Sequence, residues 1–309
     1  LEKSDGVLLP PEYRMLKGEM LALRAFLHFD MLRLFGPVYK LHPEMESIPY
    51  NESSRVSALP LLTADSVLHE KILRDLDEAE RMLVDSDPVI EGGRMASQEG
   101  DEDVYLRYRQ LRMNYYAVLA LKARVYLYAG EQANALAAAR KLLTDPKVDE
   151  YFPAVDPNKL LANQDNPDRV FSTEVLFGLE NKKRGEIFTN YFTPELDNGI
   201  LAPTNTSLLN IFLTESTSDC RFTPFWIRPD NGKYSFRCFH KYEAPEESDP
   251  FFSYLVPMIR ISEMFYIVAE TTDDETEART CLNLVRRNRG LVAFEDTEMV
   301  DIQQVLKEE

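Results

Sequence analysis

Cysteine is scarce. The 309 residues hold three, Cys220, Cys238 and Cys281, and an odd number excludes a fully paired disulfide framework. A single Cys220–Cys238 bridge stays open at this level, and Cys281 falls on a predicted helix face as a small apolar residue. Histidine is nearly as rare: His28, His42, His69 and His240 share no metal-ligand spacing with the cysteines, so no metal site is expected. No apolar run reaches the ~20 residues that cross a bilayer. Neither end reads as a secretory signal, so any targeting segment is expected to have been removed or to lie outside this chain. Basic residues are in deficit, 35 Lys and Arg against 52 Asp and Glu; the formal charge of −17 repels phosphate backbones and argues against a nucleic-acid partner. There is no GxSxG elbow, no HExxH, no phosphate-cradling glycine loop, and no serine or cysteine with an evident base. So many carboxylates make a pair at glycosidase distance a compositional certainty, which carries no catalytic implication. Neither an enzyme nor a bound cofactor is expected.

What is present is a globular composition, 44% hydrophobic and 11% aromatic, with strong helical periodicity. The clearest unit runs from Met113 to Pro146. Its first helix, Asn114 to Ala129, spaces Ala117, Ala120, Ala123, Tyr126 and Leu127 by three and four; Gly130 stands at a left-handed cap, and a second helix covers Glu131 to Leu143. Small residues on one face let two backbones approach, as a tetratricopeptide (TPR) hairpin requires. Tyr126, Gly130 and Ala135 keep TPR spacing, although no tryptophan opens the repeat.

Upstream, a helix over Glu12 to Leu34 carries two apolar stripes. One holds Leu16, Met20, Leu23, Leu27, Met31 and Leu34, the other Leu21, Ala25, His28, Leu32 and Phe35, which predicts a helix wedged between neighbours. Gly36-Pro37 ends it. A second amphipathic helix spans Thr63 to Leu83 with Val67, Ile72, Leu76, Ala79 and Leu83 inward and Thr63 or Asp65 as cap. Asp85 to Asp103 reads as a flexible acidic connector. Beyond Pro146, Val175 to Leu179 is a β-rich run, and Tyr191 to Tyr254 is aromatic-rich and aperiodic, as irregular structure with short strands would be. Two helices close the readable part. Met258 to Glu270 is followed by Thr276 to Arg289, where Arg286, Arg287 and Arg289 suit the helix dipole and Gly290 the cap. Arg260 and Glu263 stand three apart and are expected to pair in a structural role; Arg286 is expected to meet a carboxylate of a neighbouring helix. The chain stops inside a fresh amphipathic run (Val300, Ile302, Val305, Leu306), where further sequence is expected.

The order of these motifs resembles the SusD/RagB family of outer-membrane nutrient-binding lipoproteins. The resemblance lies in Gly18-Glu19, Leu23-Arg24-Ala25-Phe26, Phe29-Asp30 and Arg33-Leu34-Phe35-Gly36-Pro37-Val38; in Asp75-Leu76 with Ala79; and in Ala117 through Gly130 with Lys122-Ala123-Arg124-Val125-Tyr126-Leu127. It continues through Asp219 and Arg221, Lys241-Tyr242, Val256-Pro257 with Ile259-Arg260 and Glu263, Ala269-Glu270, and Asn283-Leu284-Val285-Arg286. It implies a mostly α fold of TPR-like helix pairs with an irregular, aromatic-rich region containing short strands. The chain would form one domain over 1–309, with a helical part at 12–146, an irregular part at 170–255 and a helix pair at 256–290. It would lack a lipidated leader, an N-terminal segment of about a hundred residues, and the family's last helix. It further implies a lipid-anchored position on the extracellular face of the outer membrane, an oligosaccharide or other nutrient such as a peptide as ligand, and a SusC-like TonB-dependent transporter as partner.

Sugar recognition needs flat apolar faces ringed by hydrogen-bonding groups. Trp226, the only tryptophan, has Phe225 and Tyr234 near it in sequence and Asn190-Tyr191-Phe192 earlier, with Arg228, Asp230 and Asn231 as candidate hydroxyl binders. The turn signature after Trp226 favours a surface position. By the resemblance, Asn190 and Tyr191 occupy the segment that supplies ligand-stacking residues. The competing explanation is that these rings fill a core beneath loops. Two other functions remain to be weighed: an intracellular TPR scaffold holding a peptide partner, and a glycan-cleaving enzyme.

Overall fold

A computed structural model describes residues 7–54, 58–94, 106–162, 167–212, 218–229, 236–244, 253–295 and 298–308. The chain divides into two compact units, 1–151 and 152–309.

In the first unit, helix α1 (Pro10–Phe35) opens on prolines whose missing N–H groups cost nothing there, and the Glu12 carboxylate accepts the Leu9 N–H at 3.1 Å. One face is sealed by Met15, Ala22, Ala25, Phe26, Phe29 and Leu32. The expected wedge is not seen. Met20, Leu27, Met31 and Leu34 are 56%, 60%, 45% and 70% exposed, because α1 packs only along its small-residue side. Gly18 permits that approach: a β-carbon there would lie 2.7 Å from Leu83 Cγ. Thr63 Oγ1 accepts the Ser66 N–H and starts the next helix, which is π-helical over Ser66–Leu73 before continuing as α2 (Arg74–Leu83). Val67, Ile72, Leu76, Ala79 and Leu83 are all fully buried, as their spacing predicts.

The described part of the expected flexible connector is instead ordered around a buried charge. Asp87 accepts N–H groups from Val89 (3.0 Å) and Tyr115 (2.9 Å) and the Arg109 Nε–H (2.9 Å), and the short helix α3 (Val89–Gly92) follows it. Arg109, fully buried, also reaches Glu19 at 2.5 Å. The TPR-like pair forms as α4 (Tyr115–Ala129) and α5 (Gln132–Leu143). Asn114 caps α4 through the Ala117 N–H at 3.0 Å, and Gly130 turns the chain at φ +83°. Ala117, Ala120, Ala123, Ala135 and Ala139 are fully buried. Helix α6 (Val148–Tyr151) ends the unit.

The second unit holds α7 (Pro157–Ala162), β1 (Val175–Glu180), α8 (Arg184–Tyr191), α9 (Asn205–Phe212), β2 (Trp226–Ile227), β3 (Cys238–Phe239), β4 (Leu255–Arg260), α10 (Ile261–Thr271), α11 (Glu275–Asn288) and α12 (Ile302–Glu308). Strand β4 corrects the expected start of the late helix. Met258 to Arg260 stay extended because the backbone pairs antiparallel with β1, Val175 opposite Arg260 and Glu180 opposite Leu255. Helix α9 also breaks the aperiodic reading of its region. Asp274 caps α11 through the Thr276 N–H at 2.9 Å, and Gly290 leaves it at φ +82°. Arg289 is not a dipole partner: it is 3% exposed and pairs with Glu174 through two 2.6 Å hydrogen bonds. Arg260 forms no ion pair among the described residues, and Arg286 lies 4.2 Å over the Phe294 ring. All three cysteines are free, so the Cys220–Cys238 bridge is not made. Among the described residues, no helix is long and apolar enough to cross a membrane.

Candidate functional site

Two-residue strands β2 and β3 pair Trp226 with Phe239 and Ile227 with Cys238. That register sets Trp226 and Phe239 on one face, ring centroids 4.7 Å apart and tilted by 35°. Phe239 then meets Phe192 edge-on at 5.4 Å and Tyr242 at 6.2 Å, and Phe192 meets Tyr191 at 6.3 Å. The C-terminal end of α8 supplies Tyr191 and the residue after it Phe192. The structure therefore joins the sequence-predicted residues Trp226, Tyr191 and Phe192 through one ring, Phe239, that sequence reasoning did not place in the site.

The ladder is neither wholly core nor wholly surface. Trp226 and Phe239 are half-buried against a cluster of Val155, Leu160, Phe171, Cys220 and Phe225, whereas Tyr191 is 50% exposed. Such a graded edge suits a stacking platform, since one ring face is held rigid and the rest stays accessible. Burial pushes the Cys220 thiol up to about 11, as expected of a packed, unreactive sulfur.

Polar groups flank the rings. Arg237 donates from Nη1 to the Trp226 carbonyl at 2.8 Å and lies 4.8 Å over Phe222. Burial and the charge of Arg228 hold its pKa down. Arg228 itself is exposed, as is Asn190. His240 and Glu243 hydrogen-bond at 2.8 Å, and Arg169 reaches the same carboxylate at 3.2 Å while its Nε donates to the Pro224 carbonyl at 2.6 Å. Burial raises the Glu243 pKa, but the His240 hydrogen bond and the charges of His240 and Arg169 outweigh it and hold the carboxyl below its ordinary value. Asn231 and Tyr234, with Asp230, lie outside the described residues. Among the described residues, no group of three His, Cys, Asp or Glu side chains could hold a metal ion.

The first unit carries a cavity of about 430 Å³ at the end of α1, lined by Arg33, Pro37, Val38, Lys40, Leu127 and Tyr128 among others.

No family profile and no curated protein matches the sequence. The fold does match solved structures. A SusD superfamily protein from Bacteroides vulgatus superposes with a TM-score of 0.69 at 20% identity, covering 96% of this chain and 64% of its own. One from Bacteroides thetaiotaomicron gives 0.65 at 20% identity, covering 95% and 62%. A SusD-like carbohydrate binding protein from Bacteroides vulgatus gives 0.66 at 16% identity, covering 96% and 59%. The chain is thus a mostly helical protein with the SusD-like fold. It spans less than two thirds of the length of these structures.

Proposed function

We propose that the protein binds a nutrient, an oligosaccharide first of all, at the cell surface and delivers it to a SusC-like TonB-dependent outer-membrane transporter. The observation that carries the reading is the ring ladder from Trp226 to Tyr191, half sunk in a core cluster on a SusD-like fold. Trp226, Tyr191 and Asn190 form the candidate contact edge with Arg228, and Tyr234 and Asn231 complete the set proposed from the sequence. Binding without turnover suits a site of rings, amides and guanidiniums, and the likeness to a SusD-like carbohydrate binding protein supports it. The exposed stripe Met20, Leu27, Met31 and Leu34 is the apolar face proposed to pack on the transporter.

An intracellular peptide scaffold would need helix pairs in tandem. Here α4–α5 and α10–α11 belong to different units, with strands and the ring ladder between them in sequence. Calorimetry against a panel of neutral glycans tests the reading, using Trp226→Ala and Tyr191→Ala. Each well-placed ring contributes on the order of 1 kcal/mol, so each variant is expected to weaken binding about fivefold. Undiminished affinity in both would remove the site, and released sugar products during incubation would restore the enzyme reading.

A further inference from the structure

The cavity of the first unit has two walls from distant parts of the chain. The loop after α1 supplies Pro37, Val38, Tyr39 and Lys40, and the last turn of α4 supplies Leu127 and Tyr128. The walls approach where the Tyr39 and Tyr128 ring centroids are 5.8 Å apart. They approach again where the Lys40 Cε lies 3.3 Å from the place a β-carbon would take at Gly130.

His69 bridges both walls. It lies in the π-helical stretch Ser66–Leu73, an uncommon geometry that concentrates at functional sites. Its Nε2 is 2.5 Å from Glu131, the residue after the Gly130 cap of α4. Its Nδ1 is 2.9 Å from Asp65 and 3.3 Å from the Tyr39 hydroxyl, which itself donates to Asp65 at 2.9 Å. One imidazole thus holds the α4 wall through Glu131 and the loop wall through Asp65 and Tyr39.

Only an imidazolium carries a proton on both ring nitrogens, so only the charged ring serves both carboxylates at once. The neutral ring has a single N–H. One carboxylate then faces a nitrogen lone pair, at 2.5 or 2.9 Å, and the Tyr39 hydroxyl must serve Asp65 and Nδ1 together. Two of the groups around the ring keep their charge through neutrality. Burial and the Asp65 hydrogen bond hold the Tyr39 phenol above its ordinary value. Burial raises the Glu131 pKa, but the His69 and Asn134 hydrogen bonds outweigh it and hold the carboxyl low. For His69 burial works the other way, and the Glu131 hydrogen bond with the charges of Asp65 and Glu131 overcomes it, so the ring keeps its proton to a higher pH than usual.

We propose that His69 is a proton-operated latch on the width of this cavity. The imidazolium ties the loop after α1 to the end of α4, and loss of the proton lets the two walls part. The latch stays shut below the raised value and opens as pH climbs through it, which makes entry to the cavity a function of pH near neutrality. It belongs to the first unit and stands apart from the sugar reading of the ring ladder, which the neutral glycan panel decides.

The test is methyl NMR of the full chain with a soluble nitroxide, reading the Val38 methyls on one wall and the Leu127 methyls on the other. Between about pH 6 and about pH 9 their relaxation enhancement is expected to rise about threefold, the scale of two part-exposed ion pairs, with the midpoint of the His69 ring resonances. The methyls of Leu76, which is fully buried, should stay flat. In His69→Gln the step is expected to vanish, and Glu131→Gln, which keeps the ring but removes one wall's carboxylate, should flatten it too; far-UV circular dichroism checks that each variant folds. A flat response in the parent protein, or the same rise in His69→Gln, overturns the latch.

Discussion

Replacing Glu174 by Gln should destabilise the second unit. The side chain is 1% exposed and accepts both Arg289 bonds at 2.6 Å and the Val155 N–H at 3.1 Å. Glutamine keeps the volume but removes the charge, leaving the Arg289 guanidinium, 3% exposed, without a counter-ion. Breaking one side of a buried pair costs about 3–5 kcal/mol. With a urea dependence of ~2 kcal/mol per molar, the midpoint should fall by about 2 M. Trp226 is the sole tryptophan and packs against the cluster that contains Phe171, so its emission reports this unit. The double variant Glu174→Leu/Arg289→Met should recover most of the loss, because two apolar side chains of similar size need no counter-charge. A shift of less than about 0.3 M in Glu174→Gln would refute the reasoning, since it lies within the error of such midpoints.

In the first unit, His69 lies between Glu131 at 2.5 Å and Asp65 at 2.9 Å, with the Tyr39 hydroxyl donating to Asp65 at 2.9 Å. Burial lowers its pKa, but the Glu131 hydrogen bond and the charges of Asp65 and Glu131 outweigh it and hold the value above the ordinary 6.5. The imidazolium therefore stabilises the fold fully below that ordinary value, and the contribution is lost as pH rises through the folded one. Circular dichroism melts should show a higher midpoint at acidic than at alkaline pH across this window, and Glu131→Gln should flatten the difference; an unchanged slope in that variant would contradict the assignment. Both Gly130 and Gly290 hold positive φ, +83° and +82°, but a β-carbon would lie 2.3 Å from the Ser218 carbonyl oxygen at Gly290 and no closer than 3.3 Å to a Lys40 side-chain atom at Gly130. Gly130→Ala should cost about 1 kcal/mol. Gly290→Ala should cost clearly more, with both variants read in urea titrations followed by far-UV circular dichroism, since Trp226 emission reports only the second unit; equal losses would show that the clash relaxes.

Much of the first unit was legible because local signals agreed. The three-and-four spacing of Ala117, Ala120 and Ala123 and the Gly130 turn specify one helix pair, and the pair forms as α4 and α5. The apolar stripe of α1 was misread for a physical reason: Met20, Leu27 and Met31 have the same chemistry whether a neighbour covers them or solvent does. What decides is where the small residues stand, and Gly18, Ala22 and Ala25 lie on the other face. Met258 to Arg260 read as helix because a short apolar run fits both periods, and only pairing with the distant β1 settles it as strand. Site residues divided the same way. Trp226 stood out by rarity and turn context and Tyr191, with Phe192 beside it, by the resemblance, but Phe239 joins them only through a two-residue bridge across Trp226 and Phe239, which no local pattern encodes. Arg289 looked like a helix-end charge because Glu174, its partner, is far off in sequence.

Net charge bears on one kind of ligand and is silent on another. A surface of −17 repels an extended polyanion, because such a ligand meets many surface charges at once. A small ligand meets only its immediate surroundings, because beyond about 8 Å physiological salt screens exposed carboxylates. Rising salt should accordingly leave the affinity for neutral glycans almost unchanged, and a steep dependence would contradict binding by ring stacking.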